Sequence, residues 1–287
     1  MQIHSNGSYA TPQVLVETEW VAAHLDDPAV RLVEVDVDPG LYAAGHIPGA
    51  VGWNWKTDTQ DLLRRNLPAD GALEALLSRS GIAPETNIVL YGDSNNWFAA
   101  YALWMLNYYG HNRARLMNGG RIKWSAEKRP MTTEPPKVVR SEYRVRKPRL
   151  SIRARRDYVL RRLGQADISL VDVRSPKEYS GELLAPESLP QEGAQRGGHI
   201  AGAVNIPWAQ AVRDDGTFKS AEELRRLYSG LGVTPEKEVI AYCRIGERSA
   251  HTWFVLKYLL GYPRVRNYDG SWTEWGSLID VPIERTA

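Results

Sequence analysis

Short apolar runs alternate along the chain with longer segments whose apolar residues recur at helical spacing. A short run rich in β-branched and aromatic side chains predicts a buried strand. The predicted strands are Arg31–Val35, Asn87–Tyr91, Ile168–Val173, Glu238–Tyr242 and Val265–Tyr268, and the predicted helices are Trp97–Tyr109 and Ser249–Leu260. Gly261 ends the second helix. Strands that alternate with helices are typical of an α/β fold, in which a mostly parallel sheet is flanked by helices.

The chain of 287 residues also contains an internal repeat. The segment HIPGAVGWNW, which begins at His46, recurs 153 positions later as HIAGAVNIPW from His199. The stretches NIVLYG and NGGRIKW recur as EVIAYC and DGSWTEW, each 151 positions later. Three landmarks in the same order predict two homologous domains, at residues 10–136 and 153–287, joined by a linker at residues 137–152.

The linker region is strongly basic. Between Lys137 and Arg162 the chain has 11 lysines and arginines and only two acidic residues. A charge run of this kind is usually a solvated surface, and a docking surface for an acidic partner is the other interpretation.

Composition excludes several classes of protein. The 36 Lys and Arg nearly balance the 34 Asp and Glu, so nucleic acid is not expected as a partner. Cys243 is the single cysteine, which excludes a disulfide within the chain and a multi-cysteine metal site. The histidines lack metal-binding spacing, so neither a metal nor another cofactor is expected. No signal peptide or membrane-spanning run is recognisable, and a lone thiol suits a reducing compartment, so a cytoplasmic location without membrane attachment is expected.

The candidate chemistry centres on Cys243, which follows one predicted strand and precedes a predicted helix. Ligands of open α/β sheets bind beyond the carboxyl ends of the strands, and a helix N-terminus attracts anions. Arg244 and Arg248 add positive charge, so we expect a thiol with a lowered pKa that faces an anion. Two other interpretations are an inert buried cysteine and a Cys/His hydrolase pair with His251, although His251 falls inside the predicted helix. The matching loop of the first half, GDSNN, has neither a thiol nor an arginine.

Several motifs together resemble the two-domain rhodaneses, the thiosulfate sulfurtransferases, over nearly the whole chain. They are the stretch from Tyr42 to Ala50 (YAAGHIPGA), the DVR element at Asp172, the GHIAGA element at Gly198, NYDGSWTEW from Asn267, and the loop CRIGERS at 243–249. The loop is similar to that of a bacterial thiosulfate sulfurtransferase group, with the active cysteine first. The resemblance implies two tandem rhodanese-like domains, of which the first is a non-catalytic copy.

By this resemblance, Cys243 is the catalytic nucleophile, and it carries sulfur from a thiosulfate donor as a persulfide. The loop that binds the substrate comprises Arg244, Ile245, Gly246, Glu247, Arg248 and Ser249. Cyanide would accept the sulfur in vitro, and a small thiol or a thioredoxin-like protein would accept it in the cell. Animal-type members have a substrate-binding arginine where this chain has Glu178. Arg244 and Arg248 are therefore the candidates for holding the donor anion, with Arg196 from the apparently inserted segment 183–197.

Three alternatives remain open. A 3-mercaptopyruvate sulfurtransferase is the nearest, and charge matching between two arginines and a dianion favours thiosulfate over that keto acid. A cysteine phosphatase or arsenate reductase needs five residues between cysteine and arginine, whereas Cys243 and Arg248 have four between them. A non-enzymatic binding module is the third. Glu247 is expected either to face solvent and meet the acceptor or to pair with an arginine.

Overall fold

The computed structural model describes residues 9–185 and 193–286, which form two compact units. One unit comprises residues 13–149 and 213–218, and the other comprises the described residues up to 12, residues 150–212 and those from 219 onward. The unit boundary at 149/150 falls inside the predicted linker. Residues 213–218 join the first unit and the described residues up to 12 join the second, and the repeat pattern indicates neither assignment.

The first unit is built on a five-stranded parallel sheet with the strand order β1-β5-β4-β2-β3. Its strands are β1 (Leu15–Val16), β2 (Val30–Glu34), β3 (Val51–Gly52), β4 (Asn87–Tyr91) and β5 (Ala114–Met117). Its helices are α1 (Thr18–Ala23), α2 (Gly40–Ala44), α3 (Trp55–Asp58), α4 (Asp70–Arg79), α5 (Trp97–Tyr108) and α6 (Gly120–Ala126). All but one of the residues of α5 are buried, which explains why this helix is apolar on every side.

The second unit repeats this topology with the strand order β6-β11-β10-β7-β9, again parallel throughout. Its strands are β6 (Arg153–Ala154), β7 (Ile168–Asp172), β9 (Val204–Asn205), β10 (Glu238–Tyr242) and β11 (Val265–Tyr268), while β8 (His199–Ile200) and β12 (Ile283–Glu284) form a separate antiparallel pair. Its helices are α7 (Arg156–Arg162), α8 (Pro176–Ser180), α9 (Ala221–Ser229), α10 (Glu247–Phe254) and α11 (Ser271–Trp275). The predicted fold class is confirmed.

The repeated motifs make the same contacts in both units. In the first unit the Tyr91 hydroxyl accepts the N–H of Ile47 at 3.0 Å, and Tyr42 stacks on His46. In the second unit the corresponding contacts join Tyr242 to Ile200 at 3.0 Å and Tyr179 to His199. The tryptophan that ends NGGRIKW and the one that ends DGSWTEW each donate the indole N–H to the carbonyl of a proline six or seven residues later. The sequence repeat is therefore a repeat of buried hydrogen bonds and ring contacts.

Much of the basic stretch packs along the surface of the first unit. The backbone N–H of Arg146 donates to the Tyr109 carbonyl at 3.2 Å, and the N–H of Val145 donates to Glu74 at 3.1 Å. The guanidinium of Arg144 pairs with the same glutamate but stays largely exposed. The backbone is thus fixed while most of the charges face water.

Within the described ranges, no helix is long and apolar enough to cross a membrane, and no group of three or more His, Cys, Asp or Glu side chains could hold a metal ion.

Candidate active site

Cys243 follows β10, the central strand of the second sheet, and is fully buried. The neighbouring strands β7 and β11 end at Asp172 and Tyr268, which pair with the residue directly before the cysteine. Because the strands are parallel, their carboxyl ends lie at one edge of the sheet. The residues that follow all three strands therefore surround the thiol.

The Cys243 sulfur has three polar neighbours from its own loop. The backbone N–H of Gly246 donates to Sγ at 3.1 Å, and the Ser249 hydroxyl lies 3.5 Å away. The thiol itself donates to Glu247 Oε2 at 3.2 Å. The Ile245 N–H also donates to Glu247 Oε2, at 3.2 Å, so it binds the carboxylate and not the sulfur. The loop therefore surrounds the sulfur with one amide, one hydroxyl and one carboxylate.

Two further residues hold the loop, Asn267 from within β11 and Ser271 from the start of α11. Asn267 accepts the Ser249 hydroxyl at 2.6 Å and donates its side-chain amide to the Gly246 carbonyl at 3.0 Å. Ser271 accepts the Cys243 N–H at 3.1 Å through its hydroxyl. The NYDGSWTEW motif contains both residues, but the sequence alone indicates no role for either of them. Their spacing from the cysteine carries no signal, because only the pairing of β10 with β11 brings them together.

Gly246 has to be glycine. Its φ is +100°, and a Cβ there would lie 2.7 Å from the Asp269 Cα. We expect Gly246→Ala to destabilise the second unit by about 2–5 kcal/mol, since a left-handed conformation costs an L-residue roughly 1–2 kcal/mol and overpacking adds about 1–3. Gly164→Ala is the matched control, because its φ is +72° and nothing lies within 4 Å of an added Cβ. Urea unfolding that shows equal losses for the two variants would contradict this account.

Each of the two loop arginines is paired with a glutamate. Arg244 Nη2 lies 3.2 Å from Glu247 Oε1, and the Arg248 guanidinium holds Glu178 through two bonds of 2.9 Å. All four side chains are buried, and their formal charges sum to zero. Glu247 thus pairs with an arginine, one of its two expected roles. Glu178 completes a capping box with Ser175 at the start of α8.

The expectation of a lowered thiol pKa is wrong. The pKa of Cys243 is raised, first by burial and then by the negative charge of Glu247, and Arg248 offsets this only in part. The pKa of Glu178 falls to about 2 despite its burial, because Arg248 binds its carboxylate. The expectation rested on the two arginines and did not include the glutamates that neutralise them, Glu247 and Glu178. Charge matching to a dianion consequently no longer favours thiosulfate over a keto acid.

A third buried ion pair, between Arg174 and Asp172, lies at the end of β7. Arg174 binds the carboxylate of Asp172 and donates to the Gly198 carbonyl at 2.7 Å. Its guanidinium also lies 4.6 Å from the centre of the Trp272 ring. The DVR and GHIAGA motifs therefore join each other and α11 in one structural network.

Two other candidate residues, His251 and Arg196, make contacts that support the fold. His251 is fully buried in α10, where burial lowers its pKa to about 3, and it meets Trp208 edge-on at 5.3 Å. Arg196 donates to the Gly276 carbonyl through both its backbone N–H and its Nε. The part of the inserted segment at residues 186–192 lies outside the described residues. These contacts give neither side chain a part in the loop around Cys243.

The equivalent loop of the first unit cannot hold a thiol. Gly92 occupies the position after the central strand, and a Cβ there would lie 2.2 Å from the Val35 carbonyl oxygen. Asn96 fills the loop by accepting the Gly92 N–H at 3.0 Å and donating to the Met117 carbonyl. Nearby, burial and the charge of Glu34 raise the pKa of Asp36 to about 8. This loop is closed by its own side chains and carries acidic neighbours.

Comparison with known proteins agrees with the two-unit architecture. The Rhodanese-like domain family matches residues 17–127 and 155–278. The chain is 57% identical over 280 residues to the "Sulfur carrier protein TtuD" of Thermus thermophilus, covering 96% of this chain and 98% of that protein. It is 52% identical over 286 residues to a "Putative thiosulfate sulfurtransferase" of Haloferax volcanii, covering 98% and 99%.

Solved structures share the fold. YnjE is similar with a TM-score of 0.84 and 26% identity, over 98% of this chain and 70% of that one. The anaerobic ergothioneine biosynthesis enzyme of Chlorobium limicola has a TM-score of 0.85 and 24% identity, over 98% and 72%. With two family matches, one in each half, and relatives alike over nearly the full length, this chain belongs to the rhodanese family and carries two rhodanese-like domains.

Proposed function

We propose that this protein is a thiosulfate sulfurtransferase that moves the outer sulfur of thiosulfate through a persulfide on Cys243. A small thiol or a thioredoxin-like protein takes the sulfur in the cell, and cyanide takes it in vitro. The observation that carries the proposal is a single thiol at the carboxyl end of the central strand β10, with the Gly246 N–H 3.1 Å from its sulfur. Relatives over 50% identical bear sulfurtransferase or sulfur-carrier names, which supports the same chemistry.

The reaction has two balanced halves. Cys243 sulfur attacks the outer sulfur of thiosulfate, the S–S bond of thiosulfate breaks, and sulfite leaves with the thiol proton as hydrogen sulfite. The enzyme then holds a persulfide anion, Cys–S–S⁻. An acceptor thiol RSH attacks the terminal sulfur, which yields RSS⁻ and restores the Cys243 thiol. The Gly246 N–H and the N-terminus of α10 stabilise negative charge on the bound sulfur.

Arg244 is the better of the two arginines for contacting the donor. Both nitrogens of Arg248 that lie nearest Glu178 are committed to that carboxylate, at 2.9 Å each. Arg244 Nη1 is buried without a hydrogen-bond partner among the described residues, whereas both terminal nitrogens of Arg248 bind Glu178 and its Nε lies 3.5 Å from Glu247. Buried donors are normally satisfied. A sulfonate or carboxylate oxygen of the donor would supply the missing acceptor.

The phosphatase alternative is disfavoured by the same pair. A phosphatase loop uses its arginine to bind the oxyanion, whereas Arg248 faces Glu178 and the sixth residue after the cysteine is Ser249. The 3-mercaptopyruvate alternative stays open as a second donor, because the balanced charges around the thiol suit a monoanion as well as a dianion.

The proposal is tested by measuring initial rates over a matrix of thiosulfate and cyanide concentrations. We expect parallel double-reciprocal lines, because the first product leaves before the acceptor reacts. The same assay with 3-mercaptopyruvate compares kcat/KM for the two donors. We expect the larger value for thiosulfate, because the name of the Haloferax volcanii relative gives thiosulfate as its donor. Lines that intersect would contradict the persulfide relay, and a larger kcat/KM for 3-mercaptopyruvate would reassign the donor.

A further inference from the structure

Glu247 places one carboxylate oxygen against the reacting sulfur. Its Oε2 lies 3.2 Å from Cys243 Sγ, and its Oε1 faces Arg244 at 3.2 Å from Nη2 and 3.4 Å from Nε. Both the thiol and the carboxylate are fully buried. Arg244 thus holds one oxygen of the carboxylate, while the other oxygen receives the thiol hydrogen and the Ile245 N–H, each at 3.2 Å.

The charges around Glu247 fix the protonation of this pair. Arg244 comes from the same loop, and Arg248 Nε, one residue along α10, lies 3.5 Å from Oε1. Glu178 from α8 neutralises Arg248, and on the side of β11 the carboxylate of Asp269 is bound by Arg153. The pKa of Glu247 is lowered despite its burial, because both arginines favour the carboxylate, whereas burial raises the pKa of Cys243. The resting pair is therefore a thiol beside an ionised carboxylate.

The thiol has to lose its proton before it can attack. Ser249, the other side chain near the sulfur, donates its hydroxyl proton to Asn267 at 2.6 Å, and an ordinary hydroxyl does not accept a proton at neutral pH. A carboxylate does, and general bases lie within hydrogen-bond reach of the proton they take. The geometry leaves Glu247 as the acceptor.

We propose that Glu247 is a catalytic residue, the general base that takes the proton of Cys243 as its sulfur attacks the donor. This inference rests on the proposed sulfur transfer. The S–H bond breaks and an O–H bond forms at Glu247 Oε2 while the S–S bond to the donor's outer sulfur forms and the donor's own S–S bond breaks. Glu247 then gives the proton to departing sulfite, so it is ionised again and the persulfide remains anionic.

A purely electrostatic role makes the opposite prediction. If Glu247 only repels a thiolate, then removing its charge leaves Arg244 and Arg248 to stabilise that thiolate, and loading becomes faster. If Glu247 is the base, its neutral replacement has to lose the thiol proton to solvent. Loading then becomes slower at neutral pH and rises with pH.

The test measures how fast the full-length protein gains sulfur from thiosulfate at pH values between 6 and 8. The reaction is quenched rapidly at successive times, and the intact mass of the protein gives the fraction that carries sulfur. For the parent we expect a rate that does not change with pH, because the thiol proton passes to Glu247 and not to solvent. For Glu247→Gln we expect a rate about 100-fold lower at pH 7 that rises about tenfold per pH unit. Glu247→Asp keeps a base and is expected to restore the flat profile at an intermediate rate. Glu222→Gln, on the exposed surface of α9, is the matched control and is expected to behave as the parent.

Two results would overturn the assignment of Glu247 as the general base. One is a Glu247→Gln variant that gains sulfur as fast as the parent at pH 7, and the other is a parent rate that rises tenfold per pH unit. The second result decides the matter even if Glu247→Gln does not fold. A parent that gains no sulfur at any pH overturns the proposed function itself, which separates that failure from the failure of the Glu247 proposal.

Discussion

Cys243→Ser should lower the rate of sulfite release from thiosulfate by at least about a thousandfold, since the loss of a covalent nucleophile removes the whole pathway. The chain contains one cysteine, so no second thiol can take over the role. Serine keeps the size of the side chain in a fully buried position, so the fold should persist. Sulfite production at saturating thiosulfate, with the circular dichroism spectrum recorded alongside, provides the measurement.

The first unit offers a matched control for this variant. Ser94 lies in the equivalent loop and adopts a φ of +45°, which glycine tolerates easily. Ser94→Gly is therefore expected to fold and to release sulfite at the parent rate. A parent-like rate in Cys243→Ser, or a comparable loss in both variants, would contradict the assignment of chemistry to the second unit.

Glu178→Gln should destabilise the second unit by about 3–5 kcal/mol, because it leaves the buried Arg248 without the carboxylate that binds it twice. Glu182→Gln is the control. Glu182 also pairs with a basic residue, Lys177 at 3.1 Å, but both side chains are more than half exposed, so a negligible change is expected. Urea unfolding of both variants at pH 7 tests the difference.

The same variant has a defined pH dependence. Glu178 has a folded pKa of about 2 against an ordinary 4.5, so its ionised form stabilises the fold above pH 4.5. That contribution is lost as the pH falls from 4.5 towards 2. The stability gap between the parent and Glu178→Gln should therefore narrow over this range. A gap that stays constant down to pH 2 would mean that the ion pair does not stabilise the fold.

The sheet could be predicted closely because buried parallel strands are short apolar runs. Three strands, β4, β10 and β11, have the predicted bounds, while β2 is shifted by one residue at both ends and β7 is one residue shorter at its C-terminal end. The two-residue strands β1, β3, β6, β8, β9 and β12 were not predicted, since two residues carry no periodicity, and the four-residue strand β5 was not predicted either. The helix after the cysteine begins at Glu247 and not at Ser249, because the left-handed Gly246 already turns the chain into it.

The position of the reactive thiol could also be predicted, whereas its electrostatics could not. A cysteine between an apolar run and an amphipathic segment indicates the edge of a parallel sheet. The pKa of that cysteine is raised first by burial and then by Glu247, and neither the depth of burial nor the position of the Glu247 carboxylate is evident from the chain. Glu178, which binds Arg248, lies 65 residues before the cysteine. A glutamate at the third position after Ser175 does signal a helix start, and this capping box is what fixes Glu178 beside Arg248.

The intact mass of the reduced protein before and after thiosulfate, without cyanide and with peptide mapping, tests most directly whether Cys243 carries the transferred sulfur. The account predicts a gain of one sulfur atom on the peptide that contains Cys243, and its loss when cyanide is added. No gain with thiosulfate or with 3-mercaptopyruvate, or a gain located on another residue, would contradict it.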